Sequence, residues 1–150
     1  MGLREIVNNE MKESMKSGDK TRLETMRSLR AAILEFEKSG ENMVLTPEVE
    51  LKILNAAVKK RKESIDVFRS AGRAESVAKE EAELAILMEY MPKQLNNDEI
   101  AAVVSKIAAE VGASSKADFG KLMPAVMKEL KGKADGGAVK SAVEKFLGNA

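Results

Sequence analysis

The feature that most constrains the fold is an unbroken apolar stripe whose members fall three and four residues apart: Leu51, Leu54, Val58, Arg61, Ile65 and Phe68. Only a helix brings such positions onto one face. Thr46 and Pro47 mark its start, the first as a cap and the second at a position where a missing N–H costs nothing. The pattern predicts one long helix of roughly two dozen residues, interrupted at Ala71-Gly72-Arg73 because Gly is costly inside a helix and natural at its end. A fourth helix follows, its stripe carried by Val77, Leu84, Leu87, Met88 and Met91, with Glu81 at the edge of that face, and Pro92 ends it. Two helices joined by so tight a turn must pair antiparallel.

Upstream, Leu3, Ile6, Val7, Met11 and Met15 recur at helical spacing before a break at Gly18-Asp19. Asp19 can cap a second helix that points Leu23, Met26, Leu29, Arg30, Ile33 and Phe36 toward a core, and Gly40 supplies a stop. This shorter hairpin can cover the stripe left open by the longer one. Downstream, Asn96 and Glu99 have capping-box spacing ahead of Ile100, Val103, Val104, Ile107 and Val111. Ser115 and Asp118 repeat that spacing before Phe119, Leu122, Met123, Val126, Met127 and Leu130. Pro124 lies inside this run and should kink the helix or shorten its regular start. The stretch KGKADGG at 131–137 reads as a turn, and Val139, Ala142, Val143, Phe146 and Leu147 form the last apolar face. No segment alternates as a strand does. The expectation is an all-α protein: a four-helix domain over residues 1–94 and a three-helix domain over 95–150.

Composition narrows the chemistry. With neither His nor Cys, zinc sites built on those ligands, His-based acid–base catalysis and the His-dependent nucleophile triads are excluded. A chain without Cys needs no oxidising compartment, so a cytoplasmic location is the default. No run approaches the roughly 20 apolar residues of a membrane span. Most of the nine Met fall on the helical stripes, where packing is the better reading than a binding groove. Glu80 and Glu83 could share a cation, although a solvated acidic face is the simpler expectation. Gly120-Lys121-Leu122 lacks the remaining residues of a phosphate-binding loop. No catalytic residue, metal or cofactor is therefore expected.

Arg61 and Arg30 both fall on apolar stripes. Each could lay its stem along the core and reach an acid, or the two could converge on an anion. Formal charge is only +1, so any basic site must be local. Residues 116–145 hold seven Lys and four acids. Lys116, Lys121, Lys128, Lys131 and Lys133 lie in and just after the middle helix of the second domain, and Gly132 and Gly136 stand in the turn that follows. Asp135 can cap the last helix, and that cap would compete with an anion for the same N–H groups. Point charges beside accessible backbone donors suit a folded RNA backbone, whereas the lack of interleaved aromatics disfavours single-strand stacking. A secondary basic patch is formed by Lys62, Arg69 and Arg73, related by spacings of seven and four, with Glu63 and Asp66 close enough to pair with it.

Three longer segments carry a resemblance: KKRKESIDVFRSAGR at 59–73, ELAILMEYMPKQL at 83–95, and GASSKADFGKLMPAVMKELKGKADGGAVKSAVEKFL at 112–147. In this order and at these separations the chain resembles the YqeY-like family, small bacterial proteins related to the tail domain of the B subunit of the glutamine-dependent aspartyl/glutamyl-tRNA amidotransferase. The resemblance implies a helical N-terminal domain joined to a three-helix domain similar to a tRNA-docking module. The positions it carries over are Gly120, Lys121, Lys128, Lys131, Gly132, Lys133, Ala134, Asp135 and Gly136. Two residues depart from the family pattern. Met91 stands where Leu usually precedes the Pro, and Lys133 stands where Arg is common, which removes a bidentate phosphate fork. Carbon–nitrogen ligase activity with glutamine as donor is often attached to the family, but similarity to one domain of an enzyme does not transmit its chemistry.

The functional expectation is a non-catalytic module that recognises tRNA or a related folded RNA through its C-terminal domain. Participation in tRNA amidation and a role as a protein-interaction adaptor are the alternatives.

Overall fold

The computed structural model describes residues 2–148. Among the described residues there are seven α-helices, one 3-10 turn and no strand: α1 Leu3–Ser17, α2 Lys20–Glu37, α3 Pro47–Ser70, α4 Ala74–Met88, α5 Asn97–Val111, the 3-10 turn Lys116–Asp118, α6 Phe119–Leu130 and α7 Gly136–Gly148. The chain divides between Met91 and Pro92 into two compact units. That boundary precedes the expected one at residue 94, because Pro92–Leu95 hydrogen-bonds within the second unit.

In the first unit, the Asp19 carboxylate accepts from Arg22 N at 3.0 Å and the Thr46 hydroxyl from Val49 N at 3.3 Å, which fixes where α2 and α3 begin. At the end of α3, Gly72 takes a φ of 71°. Arg73 N then reaches back to Phe68 O at 2.9 Å and closes the helix. α1 pairs with α2 and α3 with α4, and α2 packs on both members of the longer pair. Leu3, Val7, Met26, Leu29, Ile33, Leu54, Val58, Ile86 and Leu87 form the core, each fully buried apolar side chain contributing about 1.5–3 kcal/mol.

Several side chains depart from the expected stripes. Met15 is 55% exposed and Ser14 is buried instead, since at ~100° per residue position 14 realigns with Val7 while position 15 is turned about 80° away. Arg30 is exposed because Leu29 fills that turn of α2. α2 ends at Glu37, ahead of Gly40.

The largest departure is on α4, whose inward face runs through Glu80, Glu83 and Leu87 and leaves Glu81 exposed. Arg61 Nη1 lies 2.9 Å from Glu80 Oε2 and 2.7 Å from Glu83 Oε2. The three side chains are only 17%, 13% and 9% exposed. The two acids do share a cation, and it is this guanidinium. A solvated acidic face is excluded, because an Arg on the stripe of α3 forces the facing helix to turn its carboxylates inward. Arg61 and Arg30 line separate cavities and do not frame one anion pocket.

In the second unit the Asn96 side chain accepts from Glu99 N at 2.8 Å, and the Glu99 carboxylate accepts from Asn96 N at 3.2 Å. This capping box starts α5. α5, α6 and α7 pack pairwise around Ile100, Val104, Leu122, Val126, Leu130, Val139, Val143 and Leu147. Pro124 does not end α6. Its absent N–H would have bonded the carbonyl of Gly120, an exposed residue, so water can take that acceptor.

Candidate nucleic-acid interface

α6 ends in a turn that its sequence specifies. Lys131 has φ −55° and ψ 121°, Gly132 has φ 78°, and Lys133 N donates to Leu130 O at 2.9 Å. These are the marks of a type II turn, which needs a residue tolerant of positive φ at its second central position. The φ of Lys131 is still helical, so its side chain leaves the helix one turn beyond Lys128. Its ψ then swings the chain away and carries Lys133 off the helical face.

The turn is clasped from outside. Leu95 N donates to Lys133 O at 2.8 Å, and the Gln94 amide donates to Gly132 O at 2.8 Å and to Pro92 O at 2.9 Å. Leu95 is itself packed against the core of this unit. Sequence reasoning missed this clasp. The signal available was a single amide and an apolar residue just after a helix-ending Pro, an arrangement that carries no periodicity.

Lys128, Lys131 and Lys133 are exposed, and none has a carboxylate within 4.0 Å among the described residues. Lys116 and Lys121 stand apart from them, at the other end of α6. The rise between Lys121 and Lys128 alone is about 10 Å. Lys121 Nζ lies 3.8 Å from where a Cβ on Gly112 would be, at the C-terminal end of α5. The stem of Lys116 lies 3.9 Å from the equivalent point on Gly148, at the end of α7. The Lys121 ammonium thus complements a helix C-terminus, and the Lys116 stem runs past another. Lys121 also faces Asp118, whose carboxylate accepts from Ser114 N at 2.8 Å and Ser115 N at 3.1 Å. Those hydrogen bonds, aided by Lys121, hold the Asp118 pKa below the ordinary carboxylate value. The five-lysine face therefore resolves into a free group of three and a structural pair.

The backbone donors beside the turn are also partly spoken for. Asp135 Oδ2 accepts from Gly137 N at 3.1 Å and Ala138 N at 3.3 Å, so the N-terminus of α7 is capped by its own carboxylate. Of the two readings open for Asp135, the cap is the one realised. Gly136 begins α7, and a Cβ there would meet only Met127 Cε at 3.8 Å.

The secondary basic patch does not assemble as spaced. α3 ends at Ser70, so Arg73 is off the helix and cannot share its face through a spacing of four. Its guanidinium sits 5.5 Å from the Phe68 ring centroid. Arg69 and Arg73 line one cavity of about 340 Å³ together with Glu81. Arg69 pairs with Glu81 at 3.1 Å and Asp66 at 4.0 Å. Lys62 is exposed two turns earlier on α3.

No group of three or more His, Cys, Asp or Glu side chains among the described residues is placed to hold a metal ion. No helix among them is long and apolar enough to cross a membrane. The sequence matches the YqeY-like proteins over residues 4–147, both units included. The chain belongs to the YqeY-like family. It is 30% identical over 142 residues to "Altered inheritance of mitochondria protein 41, mitochondrial" of Pyrenophora tritici-repentis, which covers 93% of this chain and 77% of that one. It is also 30% identical over 95 residues to an uncharacterized protein of Schizosaccharomyces pombe, covering 63% and 76% of the two chains. A protein of Eremothecium gossypii bearing the same mitochondrial-inheritance name is 33% identical over 85 residues, 57% of this YqeY-like chain and 46% of its own.

Proposed function

We propose that this YqeY-like protein is a non-catalytic RNA-recognition module that seats the phosphates of a tRNA, or of an RNA folded like one, on the turn closing α6. The observation that supports this reading is the placement of Lys128, Lys131 and Lys133, all exposed and without a carboxylate within 4.0 Å among the described residues, in and just before a type II turn held by three hydrogen bonds from Gln94 and Leu95 or within the turn itself. A rigid presentation of flexible ammonium groups contributes phosphate affinity without base readout. Lys116 and Lys121 lie too far along α6 to share a phosphate with that group and would contact the RNA only at a second point. The second unit stands in this reading as the counterpart of the tRNA-docking tail of the amidotransferase B subunit, the first as its four-helix companion. In this reading the chain contributes recognition and leaves any amide transfer to other proteins. This reading takes a reducing compartment, by default the cytoplasm, as the place of action, since a Cys-free chain needs no oxidising environment.

The test is a binding titration of the full chain against total tRNA over a range of salt concentrations. Replacing Lys128, Lys131 and Lys133 by Gln should weaken binding at every sequence and lower the salt slope by about two to three, each phosphate contact contributing roughly 0.7–0.9. Unchanged affinity and slope in a folded triple variant would reject this interface.

A further inference from the structure

Gln94 holds the lysine turn with one half of its amide and leaves the other half unused. Its Nε2 donates to Pro92 O at 2.9 Å and to Gly132 O at 2.8 Å, so both of its hydrogens are spent. Both acceptors are main-chain carbonyls, and a reversed amide would set oxygen against oxygen. The amide therefore has one orientation. Its Oε1 accepts no hydrogen bond among the described residues, and the residue is exposed. A fixed, open acceptor thus stands beside Gly132, the residue between Lys131 and Lys133.

That acceptor has no use for a phosphate. An ionised phosphodiester carries oxygens and no proton, so it repels the amide oxygen while the ammonium groups attract it. The oxygen instead selects for a donor on the same ligand. On a nucleic acid, the donors within one nucleotide of a phosphate are the ribose 2′-hydroxyl, present in RNA and absent from DNA, and the amino and imino groups of the bases. A base needs a surface to lie on, and KGKADGG at 131–137 has no aromatic residue to stack it. The 2′-hydroxyl needs none, because it is carried by the backbone that the lysines already hold. We propose that Gln94 Oε1 accepts a hydrogen bond from a ribose 2′-hydroxyl of the strand seated on the Lys131–Lys133 turn, making this the residue that tells RNA from DNA there. On the RNA reading above, on which this role depends, the lysines attract any polyanion and Gln94 discriminates against one that lacks the hydroxyl.

The full chain is titrated with two synthetic stem–loops of one sequence, one all-ribo and the other 2′-fluoro throughout. Fluorine preserves the A-form helix and every phosphate but removes the donor. The all-ribo form should bind about three- to tenfold more tightly, the range of one neutral hydrogen bond, with the same salt slope for both. Gln94→Met, which removes the amide, should bind the two forms alike. A loosened turn would weaken both forms together, so their ratio separates the acceptor from the clasp. Circular dichroism establishes that the variant is folded, and the wild-type comparison needs no variant. Equal binding of the two stem–loops by the wild type would overturn the 2′-hydroxyl contact while leaving the phosphate seat in place. A preference that survives Gln94→Met would assign the contact to another residue and overturn it equally. Binding of neither stem–loop would remove the RNA reading itself, and this role with it.

Discussion

Replacing Arg61 by Met should be among the most destabilising single changes in the first unit. Met fills much of the same volume and suits the apolar stripe between Val58 and Ile65, so packing alone would tolerate it. It would, however, strand Glu80 and Glu83, whose side chains are 13% and 9% exposed and which, among the described residues, pair with this guanidinium alone. Breaking a buried pair by removing one partner costs about 3–5 kcal/mol. A pocket of about 50 Å³ lined by Thr25, Ser28 and Glu83 can admit a water to the freed carboxylates, which argues for the lower end of that range. For a unit of this size, about 3 kcal/mol corresponds to a fall of ~12–24 °C in Tm. Changing all three residues together, Arg61→Met with Glu80→Leu and Glu83→Leu, should return the stability to within about 1 kcal/mol of the parent, because no buried charge is left unpaired. Urea unfolding followed by the fluorescence of Tyr90, the single tyrosine in a chain without Trp, reports the first unit. A loss below about 1 kcal/mol for Arg61→Met, or a triple variant as unstable as the single one, would refute the argument that charge pairing orients α4.

Tyr90 should ionise above its ordinary value, because burial and the charge of Glu10 disfavour the phenolate more than Arg22 favours it. Its raised pKa keeps a stabilising contribution in place below about pH 10 and loses it as pH climbs further. Titration of the phenolate absorption band measures one group, and a midpoint at or below the ordinary value would contradict this. Asp118 should titrate below the usual carboxylate range; its contribution is present above about pH 4 and lost as pH falls through the depressed value, and side-chain carbon chemical shifts against pH give the midpoint directly. Gly136→Ala should be neutral or stabilising by up to about 1 kcal/mol, since its Cβ meets only Met127 Cε at 3.8 Å. Gly137→Ala should gain less or lose stability, because its Cβ falls 3.0 Å from Asp135 Oδ2 and pushes on the cap; paired thermal melts of the two variants decide it.

Helix positions were legible because their signals are local. Asp19, Thr46 with Pro47, and the Asn96–Glu99 box each depend on residues three apart, and each forms the hydrogen bonds its spacing implies. Facing was harder to read. Arg61 on an apolar stripe was visible in the sequence, but its partners come from another helix 19 and 22 residues away, and no pattern within α4 distinguishes an inward Glu83 from an outward Glu81. The same limit applies to the lysines. Spacing placed Lys121 and Lys128 on one side of a helix, but only the fold shows that Lys121 reaches the end of α5 beside Asp118 while Lys128 has no carboxylate within 4.0 Å among the described residues. The Gln94 clasp joins residues 38 apart through side-chain and main-chain atoms, a contact with no compositional trace.

The four residues Pro92–Leu95 do two jobs at once. They are the stretch of chain entered on leaving the first unit, and they are also the splint that sets the shape of the Lys131–Lys133 bend. Tension, cleavage or substitution in that short strap would therefore be transmitted to the cationic bend without touching a lysine of the bend itself, and a polyanion gripping the bend would in turn stiffen the strap.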